Sequence, residues 1–129
     1  MGARTDRLSV SGEIAREVLA WPGVTAHPHR FGGTEFRYGR RELGHLHGDR
    51  LADLPFPRRV RDELIESGRA RAHHVLPDSG WVSVPIAGVD DAAAVVSLFR
   101  LGYDRAVAAA GRVRAGGPSA QETRSGGRA

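Results

Sequence analysis

The chain has 129 residues, of which 40% are hydrophobic and 26% are charged, a composition typical of one folded domain. It contains no cysteine, which excludes disulfides, thiolate nucleophiles and cysteine-built metal sites, and no apolar run approaches the ~18 residues of a membrane span. The net charge of +4 comes from the two ends of the chain, because residues 11–110 hold 13 arginines and 13 acidic residues. Because residues 11–110 carry no net charge, the sequence disfavours nucleic acid as a partner. We also expect a cytoplasmic protein that does not enter membranes.

The first half of the chain predicts one helix followed by short antiparallel strands. Ser11 can cap a helix that runs to about Trp21, with apolar side chains recurring at helical spacing. After this helix the spacing changes to a period of two, and turns that contain glycine separate four short segments: 26–31, 34–38, 41–47 and 50–54. Pro28 cannot donate a backbone hydrogen bond, which places the first of these segments at a sheet edge.

The second half predicts two more helices around one strand. Pro57 is a favourable first residue for the second helix, residues 81–86 alternate as a strand, and Asp90 can cap the last helix. The order α-βββ(β)-α-β-α predicts a two-layer α+β fold, an antiparallel β-meander with helices packed on one face. Residues 111–129 are rich in arginine and glycine and predict a disordered tail, which leaves residues 11–110 as the single domain.

The histidines are the main candidates for metal binding or catalysis. The six histidines form three close pairs: His27 and His29, His45 and His47, and His73 and His74. Since residues i and i+2 of a strand point to the same face, the first two pairs each project together. Neutral imidazoles at this spacing can bind zinc, copper, nickel or iron, with Asp49 or Glu35 as an oxygen ligand. Alternatively, a metal-free imidazole can take a proton from an acidic enol or phenol, or the rings simply line a solvated face.

Other side chains near the predicted strands are candidates for holding a substrate. Arg30 follows the first histidine pair and can orient an anionic oxygen through its planar guanidinium. Tyr38 and Trp81 can wall an aromatic substrate, and His74 can reach the same site from the loop before the last strand. We therefore predict His45 and His47 as catalytic residues. The predicted substrate contacts are His27, His29, Arg30, His74, Tyr38 and Trp81, and the metal-ligand candidates are His45, His47 and Asp49.

Five motifs together suggest a family: Trp21-Pro-Gly-Val24, His29-Arg-Phe-Gly-Gly33, Arg41-Glu-Leu-Gly-His-Leu-His-Gly-Asp49, Gly80-Trp-Val82 and Leu101-Gly-Tyr103. This set resembles the luciferase-like domain family, which includes fungal luciferases. The resemblance implies an enzyme that oxidises a hydroxylated, pyrone-like molecule with molecular oxygen and without a dedicated redox cofactor. The chain departs from the family pattern at Leu51 and Asp53, where the resemblance suggests a further histidine.

The less specific of these motifs, Pro-Gly-Val, Gly-Trp-Val and the tyrosine, are also similar to those of the MmcQ/YjbR-type domains. Those domains have a CyaY-like α+β fold. That resemblance implies a non-catalytic module for a partner protein or nucleic acid, with salt-dependent binding carried by the tail arginines. The sequence thus leaves three functions open: a small-molecule oxidative enzyme without a cofactor, a binding module, and a histidine-based protein that binds a divalent metal. We favour the enzyme, with an aromatic or pyrone-like substrate.

Overall fold

A computed structural model describes residues 9–29 and 32–121 of the chain. Its helices and strands are, in chain order, α1 (Val10–Leu19), β1 (Val24–Pro28), β2 (Thr34–Tyr38), β3 (Arg41–His47), β4 (Leu51–Pro55), α2 (Arg58–Glu66), β5 (Arg71–Ala72), β6 (Trp81–Pro85) and α3 (Ala92–Gln121). The six strands form one sheet in the order β1-β2-β3-β4-β6-β5, and every neighbouring pair is antiparallel. The predicted α+β class is confirmed.

The hydrophobic core lies between one face of the sheet and the helices α1 and α3. Phe36 of β2 meets Phe99 of α3 edge to face, with ring centroids 5.5 Å apart, and both rings are fully buried. Ile14 and Val18 contribute the buried side of α1, and Leu54 contributes that of β4. Each such side chain stabilises the fold by roughly 1.5–3 kcal/mol through removal of apolar surface from water.

A β-bulge in β3 turns two histidines away from this core. The register between β2 and β3 shifts in the middle of the pair, so that β3 holds one extra residue there. As a result Leu43 and Leu46, three positions apart, are both buried in the core. His45 and His47 alternate with Leu46 and therefore lie on the opposite face of the sheet.

Gly44 makes the bulge sterically accessible. Its φ of +147° lies in a region that residues with a Cβ rarely adopt. A Cβ at this position would lie 2.7 Å from the carbonyl oxygen of Asp53 and 2.9 Å from the ring of Phe99. The glycine therefore fixes both the close approach of β3 to β4 and the direction in which the histidines point.

In two places the residue that caps a helix lies one or two positions from the predicted one. Ser9, and not Ser11, caps α1, since its hydroxyl accepts the Gly12 N–H at 3.0 Å. Before α3 the chain forms a 3₁₀ turn, and the capping carboxylate there belongs to Asp91 instead of Asp90. In both cases a neighbouring residue of similar capping ability satisfies the exposed N–H groups.

The C-terminal part of the chain differs more from the prediction. Helix α3 continues to Gln121, whereas the sequence analysis ended the last helix at residue 110. Residues 122–129, the remainder of the predicted tail, lie outside the described residues. Residues 71–72 form the edge strand β5 where a loop was expected. Among the described helices, none is both long enough and apolar enough to cross a membrane.

Candidate functional site

Asp53 lies at the centre of a histidine cluster on the sheet face opposite α1 and α3. Its Oδ2 atom lies 2.9 Å from Nε2 of His47, 3.4 Å from Nε2 of His45 and of His73, and 3.5 Å from Nε2 of His74. The Asp53 side chain is 1% exposed. A buried carboxylate is stable only when other groups neutralise its charge and donate hydrogen bonds to it, and here the imidazoles do so.

The strand register explains why these groups meet. His45, Asp53 and Ser83 are direct neighbours across β3, β4 and β6, so their side chains leave the same face of the sheet in one row. The Ser83 hydroxyl donates to Oδ1 of Asp53 at 2.6 Å. One carboxylate oxygen is therefore occupied by the serine, and the other is directed towards the histidines.

The loop between β5 and β6 fixes the tautomer of His73. Its Nδ1 atom accepts the backbone N–H groups of Val75 and Leu76, at 3.1 and 3.0 Å. Burial lowers the pKa of His73, which favours the neutral ring. Because Nδ1 is an acceptor, the proton of this neutral ring is on Nε2, where it can be donated to Asp53. His73 therefore acts as a hydrogen-bond donor that positions the carboxylate.

His45 is held in the opposite orientation, with Nδ1 donating to Glu42 at 2.8 Å. Burial by itself lowers the pKa of His45, but its hydrogen bonds to Asp53 and Glu42 outweigh burial and raise the pKa to about 9. Burial likewise raises the pKa of Asp53, but hydrogen bonds from His45, Ser83 and His47 outweigh it and hold the pKa well below its usual range. The cluster thus contains an imidazolium–carboxylate pair at neutral pH when no other cation is bound.

A cavity of about 330 Å³ opens over the cluster, with the histidines as its floor. Its apolar wall is formed by Val75 and Leu76 of the loop and by Trp81 of β6, whose ring centroid lies 5.4 Å from that of His45. Polar groups at one end and apolar walls at the other are typical of sites for small organic molecules.

The first predicted histidine pair is divided between two locations. His29 stacks on His45, with ring centroids 4.1 Å apart, and lines the cavity. His27 lies on the edge strand β1, where its Nε2 is 2.8 Å from the hydroxyl of Thr25. The pair separates because β1 ends at Pro28, so His29 no longer follows the strand geometry that would place it beside His27.

Two other predicted site residues, Tyr38 and Asp49, lie away from the cluster in the structure. Tyr38 lies on the core side, with its ring 5.5 Å from that of Tyr103, because it shares the face of buried Phe36 two residues earlier. Asp49 accepts the backbone N–H of Ser11 at 2.8 Å and stands apart from the cluster.

Two candidates from the first strands remain, Glu35 and Arg30. Glu35 is paired with Arg37 at 2.6 Å, so its carboxylate is already engaged. Arg30 lies outside the described residues. Of the predicted substrate contacts, the structure therefore brings His29, His74 and Trp81 to the cavity.

Asp53 is the central residue that the sequence analysis did not assign to the site. An informative signal was present: a carboxylate stands inside the apolar strand β4, immediately after the strand that carries the His-x-His motif. A three-residue turn, 48–50, joins the two strands and pairs His47 with Leu51 and His45 with Asp53. The position read as a departure from the family pattern therefore supplies the carboxylate on which the histidines converge.

The arrangement can hold a metal ion. Two overlapping groups each have their ligand atoms within 4.8 Å of one another: His45, His47 and Asp53, and Asp53, His73 and His74. The first group is better suited to an ion, because His45 can release its Nε2 proton and keep the one on Nδ1 for Glu42, whereas the only proton of the neutral His73 ring is on Nε2. Glu42 holds the outer nitrogen of His45, an arrangement that commonly orients metal-binding histidines.

Comparison with known proteins identifies a luciferase domain at residues 40–102. Neither the curated proteins nor the solved structures gave a match to this chain. The matched segment contains the whole Asp53 cluster together with Trp81, while His29 precedes it. This match, over slightly less than half of the chain, confirms the resemblance to the luciferase-like domain family seen in the sequence. The similarity to MmcQ/YjbR-type domains stays a prediction.

Proposed function

We propose that the cavity over Asp53 is the active site of an enzyme that oxidises a small organic molecule with molecular oxygen, assisted by a divalent transition-metal ion bound to His45, His47 and Asp53. The observation that carries this proposal is the position of Asp53 Oδ2, within 3.5 Å of four imidazole Nε2 atoms. Two imidazoles and one carboxylate form a ligand set that suits zinc, iron or manganese.

The neighbours of the three ligands support this assignment. Glu42 binds Nδ1 of His45 and directs its Nε2 towards Asp53, and Ser83 binds Oδ1 of Asp53 and leaves Oδ2 available. His47 is about one-third exposed, at 31%, and borders the cavity, so the ion would be reachable by a substrate. A bound ion would stabilise the negative charge of a substrate oxygen at this position.

The cavity favours a flat substrate with an acidic proton. The apolar body would lie against Trp81, Val75 and Leu76, with the acidic end directed towards the floor. His74, which is 52% exposed and outside the ligand set, would accept the proton. Addition of molecular oxygen to the resulting carbanion, followed by return of one proton, gives a hydroperoxide, so that substrate and oxygen account for all atoms and electrons.

Metal analysis tests the proposal directly. After reconstitution with Zn²⁺, Fe²⁺ or Mn²⁺ and removal of excess ion, we expect one equivalent of metal per chain by elemental analysis. Asp53→Asn and His47→Ala should abolish this stoichiometric binding. His27→Ala is the matched control, because it removes an imidazole from the same sheet without touching the cluster. Absence of stoichiometric metal under all three conditions would remove the ion from the proposal.

A second candidate, metal-free proton transfer by His45 or His47, is favoured by one observation. Nε2 of His47 lies 2.9 Å from Asp53 Oδ2, so the pair is already hydrogen-bonded without an ion. The two candidates differ in their response to chelation. Oxygen consumption with 4-hydroxycoumarin, a flat enolic probe, should cease after treatment with a chelator if an ion is required, and should persist if the histidines act alone.

A further inference from the structure

A second cavity, of about 230 Å³, is lined by three arginines: Arg41, Arg105 and Arg112. Arg41 begins β3, whereas His45 and His47 lie four and six residues further along that strand, roughly 13–20 Å away at the usual rise per residue. Arg105 and Arg112 are seven residues apart on α3 and so share one helix face. Ala108 and Ala109, between them, have small side chains that leave the space open.

The positive charge of this cavity is not neutralised within the described residues. None of the three guanidinium groups forms an ion pair or hydrogen bond there, and Nε of Arg105 is buried without a partner. The adjacent acidic residues are engaged elsewhere: Glu42 holds His45 at 2.8 Å, and Asp104 holds Arg100 at 3.0 Å.

Like charges that line one cavity repel each other, and a buried donor without a partner is unfavourable. A bound anion would offset the repulsion among the three guanidinium groups. We infer that this cavity, the arginine cavity, is a binding site for a phosphate group. Planar guanidinium groups donate paired hydrogen bonds to phosphate oxygens, and three of them suit a doubly charged tetrahedral anion better than a single carboxylate.

The volume also indicates what surrounds the phosphate. About 230 Å³ exceeds the space that a phosphate group alone fills, so the cavity accommodates either free phosphate with water or the phosphate of a small monoester. Both share the same recognition chemistry. Nothing in this inference depends on the metal or on the substrate of the histidine cavity, because the two sites have no lining residue in common.

Isothermal titration calorimetry at constant ionic strength tests the inference, with inorganic phosphate, phenyl phosphate and acetate as probes. We expect both phosphates to bind and acetate to bind at least tenfold more weakly. Arg105→Gln and Arg41→Gln should each raise the dissociation constant for phosphate about tenfold or more. Arg41 is exposed, so its variant remains informative if Arg105→Gln fails to fold.

The matched control is Arg59→Gln, which removes one exposed cation from α2 and should leave the affinity for phosphate unchanged. Tighter binding of phenyl phosphate than of inorganic phosphate would identify a monoester as the ligand, and equal binding would identify the free anion; both support the site. The inference is overturned if neither phosphate binds, if acetate binds equally well, or if Arg59→Gln weakens binding as much as Arg41→Gln.

Discussion

His45 of β3 and Asp53 of β4 are direct cross-strand partners, and Nε2 of the histidine lies 3.4 Å from Oδ2 of the aspartate. This contact couples the charge state of the pocket to the stability of the sheet. The pKa of His45 in the folded chain is about 9, above the 6.5 of an unperturbed histidine. A folded-state pKa that is raised stabilises the protein below the unfolded pKa, and this contribution disappears as the pH rises through the folded pKa.

We therefore expect the free energy of unfolding of the metal-free protein to fall between pH 6.5 and pH 9, by roughly 1–3 kcal/mol. Urea denaturation followed by circular dichroism at several pH values measures it. His45→Gln should flatten the profile in this window, while His27→Ala should leave the profile as in the original chain. A profile unaffected by His45→Gln would show that another group is responsible.

Gly44→Ala should destabilise the fold severely. The new Cβ would meet the backbone oxygen of Asp53 and the ring of Phe99, and the φ of +147° would be strained as well. We expect a loss of about 3 kcal/mol or more in urea denaturation. Gly39→Ala is the matched control: its φ is also positive, at +62°, but no atom lies within 4 Å, so the loss should be about 1 kcal/mol. Equal losses would mean that close packing at the bulge contributes nothing.

His73 and His47 should behave differently although both contact Asp53. The Nδ1 atom of His73 accepts the N–H groups of Val75 and Leu76, so we expect its proton on Nε2, which nitrogen NMR of the ring can measure. His73→Ala should loosen the loop and weaken metal binding moderately, by about tenfold. His47→Ala should abolish stoichiometric binding. If the two variants lose metal equally, His73 is itself a ligand and the assigned tautomer is incorrect.

Trp81 should determine affinity for aromatic ligands without affecting the metal. Its ring forms part of the apolar wall beside His45, and truncation removes a large contact surface. We expect Trp81→Ala to weaken calorimetric binding of 4-hydroxycoumarin about tenfold while the metal content stays at one equivalent. Trp21→Phe is the control, since Trp21 packs against Tyr103 away from the cavity. If the unaltered chain and Trp81→Ala bind 4-hydroxycoumarin equally well, the ligand binds outside this cavity.

Much of the architecture was accessible from the sequence because it depends on local signals. Glycine-containing turns and the period of two locate β2, β3, β4 and β6 to within a residue at either end. The side of the sheet on which Tyr38 lies could also have been predicted, because alternation along β2 places it on the same face as Phe36. The pairing of His45 with Asp53 follows from a three-residue turn once that turn is counted.

Other features of the site depend on tertiary contacts that no local pattern encodes. His73 and His74 reach Asp53 only because β6 inserts next to β4, across a connection that contains α2 and β5. The tautomer of His73 is set by N–H groups of a loop whose path depends on this docking. The bulge at Gly44 likewise reflects the need to bury Leu43 and Leu46 on one face, which spacing alone does not reveal.

The distribution of the cluster along the chain gives ligand binding a role in folding. His45 and His47 belong to one hairpin, whereas His73 and His74 come from the segment leading into β6, so their meeting point forms only when β6 has joined β4. Because docked His73 helps to hold Asp53 in position for the ion, a metal bound to His45, His47 and Asp53 would shift the equilibrium against local opening of the last strand. Proteases should then cleave the 73–79 segment more slowly in the loaded protein than in the empty one.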